Sequence, residues 1–231
     1  MRASAVGRLC AIGALLLPCL ALAHNISESN ASFVEQLNGP AAVPFLYLGA
    51  KHMFTGYDHL LFLIGVVFFL SKPRDVVVYV SLFTVGHSIT LLAGVLAGWQ
   101  ANAYLVDAVI GLSVVYKAFE NMGGFDDLRL RPDSRAAVMV FGLFHGLGLA
   151  TRLQDLTLTE EGLITNLLSF NLGVEIGQIA ALAVVLLLLL RWRQGTRFDR
   201  QAYAANWLLM TGGFVLTGMQ LAGYYLTGTS T

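Results

Sequence analysis

Only two cysteines occur in this 231-residue chain, Cys10 and Cys19, and both lie near its start. The remainder can form no disulfide and offers no thiolate, so any metal it binds must be held by nitrogen and oxygen. Charge is also scarce. Asp, Glu, Lys and Arg make up 12% of the residues and cancel to a formal net charge of zero, which leaves no basic footprint for nucleic acid. No phosphate-binding glycine loop ending in Lys is present, so nucleotide energy would have to come from a separate chain; no His-Glu-x-x-His helix is present either. What is abundant is apolar: 56% of the residues, too many for a soluble domain of this length.

The chain therefore reads as an all-α, polytopic membrane protein. Arg2 and Arg8 precede an apolar run from Cys10 to Leu20, and Ala21-Leu22-Ala23 supplies the small residues of a cleavage site, the pattern of a signal peptide over 1–23. Pro18 before Cys19 is a poor lipoprotein signal, and no lipid anchor is expected. Residues 24–43 form a short polar exported segment that contains two glycosylation sequons at Asn25 and Asn30, meaningful only in a eukaryotic secretory pathway. A transmembrane domain follows over 44–226, with a tail at 227–231. Runs long enough to span hydrocarbon fall at 44–70, 76–98, 103–122, 135–153, 163–190 and 203–226, which predicts a six-helix bundle. Of the twelve Lys and Arg residues after position 23, ten lie in or beside the first, third and fifth connections. The positive-inside rule makes that side cytoplasmic, so both mature termini face outward; the expected location is a bacterial inner membrane, with both termini in the periplasm.

Within the spans lie groups that hydrocarbon penalises: His52, Asp58, His59, His87, His145 and Glu175. Each such group costs roughly 2.5–3.5 kcal/mol on insertion scales, so several in one small bundle point to function. His52 and His59 are seven residues apart and project from nearly the same helix face, with Asp58 beside them. Thr84, His87 and Thr90 make one polar stripe bordered by Ser88, whose hydroxyls can orient the imidazole. Gly142, Gly146 and Gly148 surround His145 and let a helix or ligand approach. Asn171, Glu175 and Gln178 share a face of the fifth span, and His59, His87, His145 and Glu175 can meet in one cavity. Plainer roles stay open: a helix-bridging hydrogen bond for His145 or His87, pairing with Lys51 for Asp58, and headgroup contact or pairing with Lys117 for Asp107 and Glu120. His24, if it becomes the N-terminus, can chelate a metal through its amino group and ring.

Four motifs in order complete this reading: Gly56-Tyr57-Asp58-His59-Leu60-Leu61-Phe62-Leu63, Phe83-Thr84-Val85-Gly86-His87-Ser88-Ile89-Thr90-Leu91, Phe141-Gly142-Leu143-Phe144-His145-Gly146-Leu147-Gly148 and Phe170-Asn171-Leu172-Gly173-Val174-Glu175-Ile176-Gly177-Gln178. From about 44 to 190 the chain resembles the HupE/UreJ family, particularly its second branch. The resemblance implies association with hydrogenase or urease systems and their metalloenzyme maturation proteins. It also implies a nickel, or nickel and cobalt, permease in which His52, Asp58, His59, His87, His145 and Glu175 form the metal pathway. Asp107 stands where the family pattern often has Glu.

The expected function is transport of a divalent transition metal ion, nickel first, with cobalt and copper as alternatives, by a protein that is not an enzyme. Imidazole and carboxylate suit Ni, Co, Zn and Cu alike, so the ligands do not choose the metal. The other readings are a non-transporting metal-binding accessory and an intramembrane metal-dependent hydrolase with Glu as general base.

Overall fold

A computed structural model describes residues 39–154 and 161–228. The expected signal peptide, His24, the two sequons and the end of the C-terminal tail lie outside the described residues. Those described form eight helices and no strand: α1 Ala42–Thr55, α2 Tyr57–Val67, α3 Pro73–Leu96, α4 Ala103–Asn121, the single turn α5 Gly124–Asp127, α6 Ser134–Gln154, α7 Leu163–Arg193 and α8 Phe198–Gly228. The all-α expectation holds. On length and composition, α3, α6 and α7 are apolar enough to cross a membrane, and α2 is apolar but only 11 residues long. The other expected spans depart for visible reasons. The first is broken at Gly56, α4 carries Asp107, Lys117 and Glu120 within 19 residues, and α8 is diluted by Asn206, Gln220 and its glycines.

The helices pack chiefly as three close pairs, α1 on α7, α3 on α6 and α4 on α8, with α2 set against α4, α7 and α8. Glycine makes each pair close. A Cβ on Gly49 would lie 2.0 Å from the Phe170 carbonyl oxygen, and one on Gly173 would lie 2.0 Å from that of Leu46, so α1 and α7 touch backbone to backbone. Gly111 and Gly213 play the same part between α4 and α8. Lipid offers no hydrophobic drive for helix association, so this close van der Waals contact is what holds such pairs. The outward face of α7 shows Leu172, Ile176, Ile179 and Leu187, an apolar surface suited to lipid.

Polar side chains tie the ends. Asn166 on α7 accepts from the Ala41 N–H at 2.7 Å and donates to the Gly39 carbonyl, which anchors the start of α1. At the opposite end Lys117 pairs with Glu120, and both bond Ser134 at the start of α6. Arg193, in the last turn of α7, donates to the carbonyls of Val67 and Leu70 at 2.8 Å and to that of Phe68, satisfying the C-terminus of α2. Arg193→Ala is expected to cost about 1.5–3 kcal/mol, the range for hydrogen bonds to a charged group. A lowered midpoint of thermal unfolding in detergent is the result that checks it.

Candidate metal centre

The centre begins with a helix break. Gly56 adopts φ −76° and ψ 93°, so α1 stops and α2 starts afresh one residue later. On a continuous helix His52 and His59 would sit about 10.5 Å apart along the axis, seven residues at about 1.5 Å each. The break instead brings their ring centroids to 5.1 Å. Space rather than φ favours glycine here: a Cβ would lie 2.8 Å from His59 Nδ1, 3.2 Å from Asp58 Oδ1 and 3.2 Å from the His52 carbonyl oxygen. The two nearest atoms belong to side chains, which can yield. Gly56→Ala is therefore expected to leave the fold intact and displace the Asp58–His59 pair, weakening metal binding by about tenfold, the lower end of what disturbing an outer partner costs. Calorimetric titration of the purified variant with Ni²⁺ reads this directly.

His59 is the hub. Its ring centroid lies 4.8 Å from that of His145, 5.1 Å from His52 and 6.1 Å from His87. Asp58, His59, His87 and His145 are buried, and His52 is half-buried. Phe62, Phe83 and Phe170 pack their rings against these imidazoles, so the walls between the polar atoms are apolar. One candidate ligand atom from each of Asp58, His59 and His145 falls within 4.8 Å of the others, a spacing that one cation can bridge.

Hydrogen bonds fix how these rings face. His145 Nδ1 lies 2.7 Å from the Phe141 carbonyl oxygen, which can only accept, so Nδ1 carries the proton and Nε2 keeps its lone pair. Asp58 Oδ1 is 3.2 Å from His59 Nδ1, the carboxylate–imidazole arrangement that sets the tautomer of a metal-binding histidine and raises its basicity. His87 differs. Both its ring nitrogens are buried and have no hydrogen-bond partner among the described residues. A buried imidazole with both nitrogens unsatisfied is costly unless something else completes it, and a cation is one such group.

Glycine also positions His87. A Cβ on Gly146 would lie 2.1 Å from the His87 carbonyl oxygen, and one on Gly142 would lie 2.4 Å from that of Phe83. The glycines around His145 therefore seat the backbone of α3, and that contact sets His87 opposite His145. The hydroxyls beside His87 point elsewhere. Thr90 donates to the Leu143 carbonyl at 2.7 Å and so bridges to α6. Thr84 donates to Gln178 Oε1 at 3.2 Å, and Ser88 is bonded to Asn171 at 3.0 Å, both bridging α3 to α7.

Glu175 stands apart from the histidines. It is half-buried and lines a groove of about 620 Å³ between α3 and α7, among Val76, Val80, Ile179 and Leu182, with Thr84 and Gln178 beside it. The structure thus brings His52, Asp58, His59, His87 and His145 together and places Glu175 on a different surface. In its stead stands a carboxylate whose role sequence reasoning leaves open. Asp107 is buried, and with Arg152 it lines a small cavity of about 10 Å³ against His52, His59 and His145. The pair itself is close, Arg152 Nη2 to Asp107 Oδ2 at 2.5 Å. The one available sequence signal is that alternating spans put the start of the third and the end of the fourth at the same membrane face.

No curated protein and no solved structure matches the chain. The profile of the HupE / UreJ protein family matches residues 28–228, nearly the whole length. The chain belongs to the HupE / UreJ family, which suggests an accessory or transport role connected with nickel or cobalt.

Proposed function

We propose that this member of the HupE / UreJ family is a permease that admits a divalent transition metal ion, nickel first, from the periplasm across the inner membrane. The observation that carries the proposal is the buried cluster in which His59 contacts three other imidazoles and Asp58 within an apolar shell. His59 and His145 bind first through Nε2, Asp58 holds His59 in the required tautomer, and His52 and His87 complete the shell from either side. Carboxylate chemistry enters through Asp58 and Asp107, and Glu175 serves a step outside the cluster. Imidazole must be neutral to bind, so protonation opposes uptake.

Six membrane crossings, with α1 and α2 as one broken span, are the arrangement we favour. Discontinuous helices are a recurrent means of building ion sites at depth in transporters. The arrangement puts Lys72, Arg74, Arg131, Arg135, Arg191 and Arg197 at the cytoplasmic face and both mature termini in the periplasm. A second reading, a metal-holding accessory that does not transport, is favoured by the depth of the cluster, which suits storage as well as passage.

The test is accumulation of Ni, Co, Cu and Zn, supplied together at trace levels, in cells expressing wild type or His87→Ala at equal membrane abundance. Selective accumulation of one metal that disappears in the variant is the expected result. Accumulation no greater than in empty-vector cells, with metal still bound by the purified protein, would favour the accessory reading.

A further inference from the structure

The Asp107–Arg152 pair closes one side of the histidine cavity, and Arg152 has no part in the ligand set above. Arg152 lies seven residues, about two turns, beyond His145 towards the C-terminal end of α6. That end is tied to the α3–α4 connection by Gln154, which donates to the Trp99 carbonyl at 2.9 Å. The pair therefore stands between the cavity and the bundle end away from the basic connections, the end from which an ion would enter under the proposed orientation. The Asp107 side chain is 0% exposed and that of Arg152 is 21% exposed, so the guanidinium reaches from the rim to a carboxylate in the interior. The cavity between them and the histidines is about 10 Å³, room for one water-sized species. Next to it Gly148 of α6 lets α4 pack close: a Cβ there would meet Val106 at 3.3 Å, Ile110 at 3.4 Å and Asp107 Oδ1 at 3.6 Å.

These observations describe a carboxylate beside a cation site whose charge is balanced by a tethered cation of the protein itself. A divalent ion in the cavity and the guanidinium next to it repel one another, and Asp107 serves either. We propose that Arg152 is a displaceable gate. With the cavity empty it neutralises Asp107 and closes the rim; an arriving divalent cation takes over that carboxylate, and the guanidinium withdraws towards the exposed end of α6. The inference rests on the metal-binding reading of the cluster.

The experiment is stopped-flow and equilibrium binding of Ni²⁺ to the purified full-length protein in lipid nanodiscs, comparing wild type, Arg152→Gln, Asp107→Asn and the double variant. Removing a competing closed state raises the binding-competent fraction, so Arg152→Gln is expected to speed association and tighten binding by about tenfold. The double variant removes both charges of the pair together, which avoids the cost of breaking a buried pair from one side. It should also associate about tenfold faster than wild type, because the gate is gone, yet bind more weakly than Arg152→Gln, because the carboxylate is gone. Association in the double variant no faster than in wild type would overturn the gate while leaving the metal site standing. Absence of Ni²⁺ binding by wild type would overturn both, and so is distinguishable from failure of the gate alone.

Discussion

His59→Ala abolishes metal binding at concentrations that saturate the wild type, a loss expected to reach about a hundredfold or more. Disturbing a partner that only orients a metal ligand costs about 10–100-fold in affinity, and removing the ligand itself costs at least the upper end of that range. His59 is the ring that the other three share, at centroid distances of 4.8 to 6.1 Å, so no other residue of the cluster can take its place. Asp58→Asn is the matched control. If Asp58 acts by orienting His59 through the 3.2 Å contact to Nδ1, the amide variant keeps partial affinity, within about 10–100-fold of wild type. If Asp58 is itself an indispensable ligand, its variant falls as far as His59→Ala. Isothermal titration of both proteins with Ni²⁺ separates these outcomes.

The second large effect concerns assembly rather than chemistry. Gly146→Leu places a side chain where even a Cβ would lie 2.1 Å from the His87 carbonyl oxygen and 2.3 Å from Thr90 Oγ1. The first neighbour is backbone and cannot turn aside, so α3 and α6 must separate. Overpacking of this kind costs about 1–3 kcal/mol and often more. The Thr90–Leu143 hydrogen bond at 2.7 Å goes with it. The expected outcome is little folded protein in the membrane fraction, and a lowered unfolding midpoint for what remains. Gly218→Leu, at a glycine with nothing within 4 Å, is the comparison and should accumulate as wild type does. Equal abundance of the two variants would mean that the α3–α6 contact is not what seats His87.

The all-helical class and the importance of the glycines around His145 follow from composition and helical spacing alone, whereas spacing left Glu120 open between headgroup contact and the pair it forms with Lys117. His52, Asp58, His59, His87 and His145 were identifiable as costly residues in apolar runs. Their meeting depends on the break at Gly56, which one glycine inside a long apolar run does not announce. Helical periodicity assigns a residue to a face but does not say which neighbour that face meets. For that reason the spacing lets Glu175 share the histidine cavity, whereas in the fold Glu175 opens onto the α3–α7 groove and its stripe neighbours Asn171 and Gln178 bond Ser88 and Thr84. Asp107 and Arg152 were opaque for a related reason. Each lies near a span end, where a charge normally reaches headgroups, and only the packing of α4 on α6 turns them towards each other.

The most direct test of the histidine cluster is X-ray absorption at the nickel edge on the purified full-length protein loaded with one equivalent of Ni²⁺, because imidazole rings leave a distinctive multiple-scattering signature. The expected result is a shell with at least two imidazoles, retained in Glu175→Gln and lost in His59→Ala. A shell of oxygen ligands without imidazole, or one that survives in His59→Ala and vanishes in Glu175→Gln, would contradict it and move the metal site to the groove between α3 and α7.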